Sequence, residues 1–196
     1  LRFVSADRRL TALFGIYHYD ASQDEFLDLS AFLGDFGLMN FEDQTTNTAA
    51  FTQVDYEVSE LFDVTVGGRF ERERRERSGG NLFIVDLDET YESFLPKLGA
   101  AWHVNQALTV GAVVSRSYNG GGAAFTFQPP FTNYSYEPEY AWTYETYWRA
   151  LLAEGRLFLT GNVFFSDYKD YQLEFDINPD PAVFSFIVRN GKKVEA

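Results

Sequence analysis

Two histidines, His18 and His103, and no cysteine make up the imidazole and thiol chemistry of this 196-residue chain. A disulfide framework, a thiolate metal site and a histidine-rich metal centre are thereby excluded. No Ser-His-Asp grouping stands at a meaningful spacing, and carboxylates are too frequent for one pair to be singled out as acid and base. No catalysis, no cofactor and no metal site are expected. Two other groups carry more information. In "AAFTFQPPFTNYSYEP" (Ala123 to Pro138), Phe125, Phe127, Phe131, Tyr134 and Tyr136 could stack on a flat ligand such as a catecholate, a porphyrin or a sugar ring. The same rings could instead pack against neighbouring loops or form an aromatic girdle. In "RFERERRERSGG", Arg69, Arg72, Arg74, Arg75 and Arg77 could attract an anion, with Arg72 and Arg74 as candidate contacts. The interleaved Glu71, Glu73 and Glu76 favour a neutral, solvated ladder of opposite charges. The acidic run "VDLDETYE" lacks the spacing of a calcium loop.

Sixteen basic against 29 acidic residues leave a net charge of −13, which excludes a nucleic-acid partner because phosphate binding needs a basic footprint. Twenty Phe, 12 Tyr and three Trp make 18% of the chain, a bias that aromatic girdles at two water–lipid interfaces produce directly. No stretch approaches the ~20 apolar residues of a membrane helix. The mean hydropathy of −0.25 reads as soluble, but a transmembrane barrel gives the same reading, since its lumen-facing residues dilute every strand.

The elements that must position these residues are strands. Phe94, Pro96, Leu98, Ala100, Trp102 and Val104 alternate with small or polar residues, as do Leu108, Val110, Ala112 and Val114 after the break at Asn105-Gln106. A first strand is predicted over Leu10 to Asp20, then a connection over Ala21 to Asp43. A second strand follows with Ala50, Thr52, Val54 and Tyr56 on one face, Phe51 interrupting the polar side. "VTVGGRFERERRER" is the third, and a connection spans Ser78 to Thr90 before the Phe94 pair. A long connection from Tyr118 precedes "YAWTYETYWRA". "LFLTGNVFFSDYKDYQLEF" is the seventh strand, and an eighth begins near Val183. His103 reads as a lumen or rim residue. The expectation is an all-β antiparallel meander of about eight long strands, with long and short connections in turn, as in a transmembrane β-barrel. A soluble sandwich or lipocalin-like barrel also alternates. Strand length, loop asymmetry, and large aromatics opposite charges on one strand favour lipid as the partner of the apolar face. The chain starts with Leu and stops in mid-pattern at "VRNGKKVEA", which reads as an internal fragment of something longer.

"SRSYNGGGAAFTFQPPFTNYSYEPEYAWTYE" resembles the TonB-dependent outer-membrane receptor family, whose "Y-S-[KR]-G-[FY]-x-x-G-G" loop is followed by "P-E" and "Y-E". Ser115, Arg116, Tyr118, Gly120, Gly121, Pro138, Glu139, Tyr144 and Glu145 fill those places, with Ser117 where the family commonly has Gly. "FLPKLGAAW", "VTVGGRFERE" and "LFLTGNVFFSDYKDYQ" resemble other strands of the family in its order, covering roughly Thr46 to Ala196. The resemblance implies part of a barrel of about 22 strands, its plug domain and remaining strands lying outside residues 1–196. It implies import of a scarce nutrient such as a ferric siderophore across the outer membrane of a Gram-negative bacterium. The partners would be outer-membrane lipid, the TonB complex through the plug, and a small-molecule ligand such as an iron chelate. A self-contained eight-stranded membrane barrel with a structural or adhesive role, and a soluble ligand-binding β-domain, are the alternatives.

Overall fold

The computed structural model describes residues 1–81, 84–126, 132–176 and 186–195. Its strands are β1 (Arg2–Val4), β2 (Leu10–Asp28), β3 (Leu38–Ser59), β4 (Phe62–Gly80), β5 (Ile84–Asn105), β6 (Leu108–Asn119), β7 (Gly122–Phe125), β8 (Asn133–Tyr136), β9 (Glu139–Leu152), β10 (Leu157–Asp176) and β11 (Phe186–Glu195). One helical turn, α1 (Ser30–Leu33), and a 3-10 turn over Gly34–Gly37 join β2 to β3. Nine strands form one sheet in the order β1-β2-β3-β4-β5-β6-β9-β10-β11, and β7 and β8 pair as a separate hairpin. Neighbours in sequence pair antiparallel throughout the large sheet, so the meander is as expected. β1 and β11 lie at opposite edges of that sheet, so it does not close on itself among the described residues.

Side chains sort by face. Phe62, Val64, Val66 and Phe70 of β4 stand opposite Trp102, Ala100, Leu98 and Phe94 of β5. β6, β9 and β10 continue the row with Val110, Trp148 and Val163 among others. This apolar face is exposed: Val66 by 54%, Phe94 by 56% and Val163 by 66%. On the other face Glu71, Glu73 and Ser93 are buried, at 6%, 7% and 4% exposure. A water-soluble sheet standing alone has the reverse distribution. Phe51, the interruption on the polar side of β3, stands opposite Gly15, and a Cβ there would collide with its ring. Tyr147 lies over Gly111 and Trp148 over Gly161 in the same way.

Two predicted connections turn out to be strand. β2 and β3 pair from Leu10↔Tyr56 up to Asp28↔Leu38, where Ala21 to Asp43 had been read as a connection. β4 and β5 pair up to Gly80↔Ile84, through most of the predicted Ser78 to Thr90 connection. A ladder is held by backbone hydrogen bonds and does not require a continuous apolar face, so it continues where the outward face turns mostly polar. The sheet therefore has a lower part, next to the short turns at residues 60–61, 106–107 and 153–156, with one apolar face. Its upper part is mostly polar outward and mixed inward, where Met39, Phe41, Val85 and Leu87 are buried among charged residues. β1 and the β7–β8 hairpin, three and four residues per strand, are additions below the length that alternation reveals.

The β5–β6 ladder stops partway. It runs from Asn105↔Leu108 to Lys97↔Ser115, while β5 continues to Ile84 paired with β4 alone. The His103 amide bonds Leu61 on the β4 side. Odd-numbered β5 residues thus face β4 with their backbone groups, and even-numbered ones face β6. Pro96 is next in line opposite Arg116, and it has no N–H to donate. Above it the carbonyl of Phe94 accepts from Arg116 Nη1 at 3.4 Å, and that of Ile84 accepts from Asn133 Nδ2.

Candidate functional site

The charged run of β4 is divided by strand alternation. Arg69, Arg75 and Arg77 lie on the polar face with Glu71 and Glu73; Arg72, Arg74 and Glu76 lie on the opposite one, in line with Phe70. On the polar face Arg69 Nε is 2.7 Å from Glu71 Oε2, and its guanidinium lies over the Tyr17 ring at 5.0 Å. Arg75 pairs with Glu73 and donates to the carbonyls of Gly121 at 3.0 Å and Gly120 at 3.5 Å. Asn47 Nδ2 donates to the other oxygen of Glu73 at 3.2 Å. Arg77 reaches Glu25 at 2.7 Å and Asp43 at 3.2 Å, across the Phe41 ring. Asn47 Oδ1, Arg77 Nε and the Tyr118 hydroxyl are buried without a partner among the described residues, which suits an ordered water at each.

The hairpin lies on this wall. Phe125 is 5% exposed and stacks on Phe41 at 5.6 Å, with Met39 and Val85 completing an apolar cluster beside Leu27, Leu29 and Ala123. The Tyr134 hydroxyl accepts from the Val188 amide at 3.2 Å, and burial pushes this phenol above its ordinary pKa. Tyr136 is half-buried against Gly122. Asn190 ties the exit of the hairpin to β10 and β11, accepting from the Glu137 amide at 2.8 Å and donating to the Asp170 carbonyl at 2.7 Å. The segment from Gly120 to Glu137 thus reaches from β4 to β11 over the polar face, through Arg75 at one end and Val188 and Asn190 at the other.

Of the seven residues singled out in the sequence, Phe127 and Phe131 lie outside the described residues. Phe125, Tyr134 and Tyr136 come together in the hairpin. Arg72 and Arg74 do not join them: on the opposite face, Arg72 Nε is 3.8 Å from Glu92, and Arg74 makes two 2.8 Å bonds to Asp88. Period-two alternation alone would have separated them from Arg75, since Arg74 and Arg75 are adjacent. The polar-face residues that sequence reasoning passed over are Tyr17, Tyr91 and Arg149, legible only once register is known. His103 is on that face near the lower turns, 2.7 Å from Asp63 and 3.1 Å from Thr109. Among the described residues, no His, Asp and Glu form a group able to hold a metal, and no helix is long and apolar enough to cross a membrane.

The sequence profile of a family described as "TonB dependent receptor-like, beta-barrel" matches residues 2–195. Among solved structures, the ferric yersiniabactin uptake receptor FyuA of Yersinia pestis superposes with a TM-score of 0.70 at 19% identity, over 88% of this chain and 28% of that one. The alcaligin outer-membrane receptor FauA of Bordetella pertussis gives 0.68 at 17%, over 99% and 32%. The ferric-catecholate import receptor Fiu of E. coli K12 gives 0.69 at 16%, over 99% and 32%. At these identities the likeness is one of fold, and this chain spans about a third of each structure's length.

Proposed function

Because the chain belongs to the TonB-dependent receptor β-barrel family, we propose that it is a section of the wall of an outer-membrane importer for a scarce nutrient such as a ferric siderophore. In this reading the apolar face meets outer-membrane lipid and the polar face lines the lumen. A plug domain outside residues 1–196 fills that lumen and contacts the TonB complex. Phe125, Tyr134 and Tyr136 of the hairpin belong to the ligand-facing end, where the buried ring of Phe125 fixes the hairpin and leaves contact to the two tyrosines; Phe127 and Phe131 are proposed as ligand contacts from the sequence alone. Arg72 and Arg74 bear on an anionic ligand only as charge at the rim.

The observation that carries this reading is the inverted burial of the sheet, with Val66, Phe94 and Leu98 more than half exposed while Glu71 and Glu73, next above Phe70 and facing the other way, are buried. On β4 the apolar row from Phe62 to Phe70 has the length of a tilted spanning strand, ~9–11 residues. The family and its structural relatives are transport receptors and not enzymes. The test is uptake of radiolabelled iron presented as catecholate, hydroxamate or mixed chelates, in iron-starved cells with and without the gene. Loss of TonB-dependent uptake of one chelate on deletion is the expected result. Unchanged uptake of every chelate, or recovery of the full-length protein in the detergent-free soluble fraction, refutes it.

A further inference from the structure

Above Pro96, β5 is an edge strand lying within the sheet. Its carbonyls at Phe94 and Ile84 are capped by side chains, Arg116 and Asn133, which act in place of a missing neighbour. Between these caps, Asp86, Asp88, Thr90 and Glu92 direct their amides and carbonyls away from β4, with no strand paired to them among the described residues. The run from Asp86 to Glu92 is about 20 Å of edge at the rise of an antiparallel strand.

A cleft of 390 Å³ adjoins this edge. Thr90, Tyr91 and Glu92 form one wall, and Glu137, Pro138, Asp170 and Asn190 the other. Tyr140 closes it below, its hydroxyl 3.2 Å from Ser93 Oγ. Among the described residues, three carboxylates and no basic side chain line the cleft. Arg72 and Arg74 offset Glu92 and Asp88 from the apolar-face side.

We propose that the upper edge of β5, residues 86–92, is a strand-addition site for an extended, cationic polypeptide segment arriving at the loop end of the sheet. The edge supplies backbone donors and acceptors in strand register, the arrangement by which an added strand gains affinity. The carboxylates select its charge and raise its rate of encounter. Edges of this kind are normally covered or blunted; here the caps blunt the two ends and leave the middle open. The site does not depend on the nutrient, so it survives failure of the importer reading.

The test uses the full-length protein in detergent micelles and a peptide of about seven residues, matched to the open edge, with Lys and Val alternating. Two isomers carry N-methyl groups on alternate amides, one in each register, so that charge, composition and methyl count are equal. Saturable binding of the parent peptide is expected, with the two isomers differing by about tenfold or more, because only one keeps the amides that face β5. Thr90→Pro removes an edge-facing amide and leaves the β4 ladder intact, so it should weaken the parent peptide several-fold while the protein keeps its folded mobility on unheated gels. Equal binding by the two isomers, strongly salt-dependent or not, overturns strand addition, since charge alone would then explain the attraction. Absence of saturable binding overturns it as well. If Thr90→Pro does not fold, the isomer comparison on the unaltered protein decides.

Discussion

On β4, the rows from Phe62 to Phe70 and those from Glu71 to Arg77 belong to one uninterrupted ladder with β3 and β5, yet their side chains answer to different surroundings. The lower rows present Val66 and Phe70 outward, with Gly67, Thr65 and Asp63 behind them. The upper rows place Arg74 and Glu76 outward, with Glu71, Glu73, Arg75 and Arg77 behind. Backbone hydrogen bonding is indifferent to this change; side-chain solvation is not. The lower half leaves its apolar row exposed. The upper half is held by its own ion pairs, by the Arg75 bonds to Gly120 and Gly121, and by the cluster of Met39, Phe41, Val85 and Phe125.

The sharpest way to break this contrast is to put the same charge on both halves of one face. Val66→Arg should destabilise the full-length protein in lipid vesicles by about 2–4 kcal/mol, the cost of an arginine at the bilayer midplane of a barrel. Ser78→Arg, on the same face beside Glu42 and Asp86, should stay within about 0.5 kcal/mol. Urea titration of both variants checks the pair, and equal effects would mean that the upper rows share the apolar medium. Next in size, Phe125→Ala should cost about 2–3 kcal/mol locally, at the low end for a buried ring because a four-residue cluster can collapse around the gap. Faster proteolysis near residues 122–136 with unchanged global unfolding is the expected signature. Arg77→Ala leaves Glu25 and Asp43 without their shared partner and should cost about 1–2 kcal/mol, part of it screened by solvent. Arg74→Ala removes only exposed pairs, with Asp88 and Glu76, and no measurable change in the urea midpoint is expected. A loss as large as that of Arg77→Ala would place Arg74 in a less solvated position than the geometry gives.

What the sequence reveals follows the same division. Phe94 to Val104 and Val64 to Phe70 are legible because an apolar–polar contrast at period two marks a strand and its faces. Much of Ala21 to Asp43 and of Ser78 to Thr90 is paired strand as well, but the contrast there is confined to short pieces such as Val85 to Asp88, so they read as loops. The aromatic hairpin is visible as a composition, but that Phe125 turns inward depends on Phe41 and Val85, more than thirty residues distant in sequence. The open edge of β5 depends on which neighbour Pro96 faces. Parity fixes the face of a side chain, while the direction of an amide within the sheet follows only from register.

The upper extension of β5 sets how far the protein projects. From Phe94, the last outward aromatic of the apolar row, ten further steps reach Ile84. At ~3.3 Å per residue and the ~35–45° tilt of barrel strands, that lifts Ile84 about 25 Å above the apolar row. A paired ladder with β4, and not slack chain, carries it there.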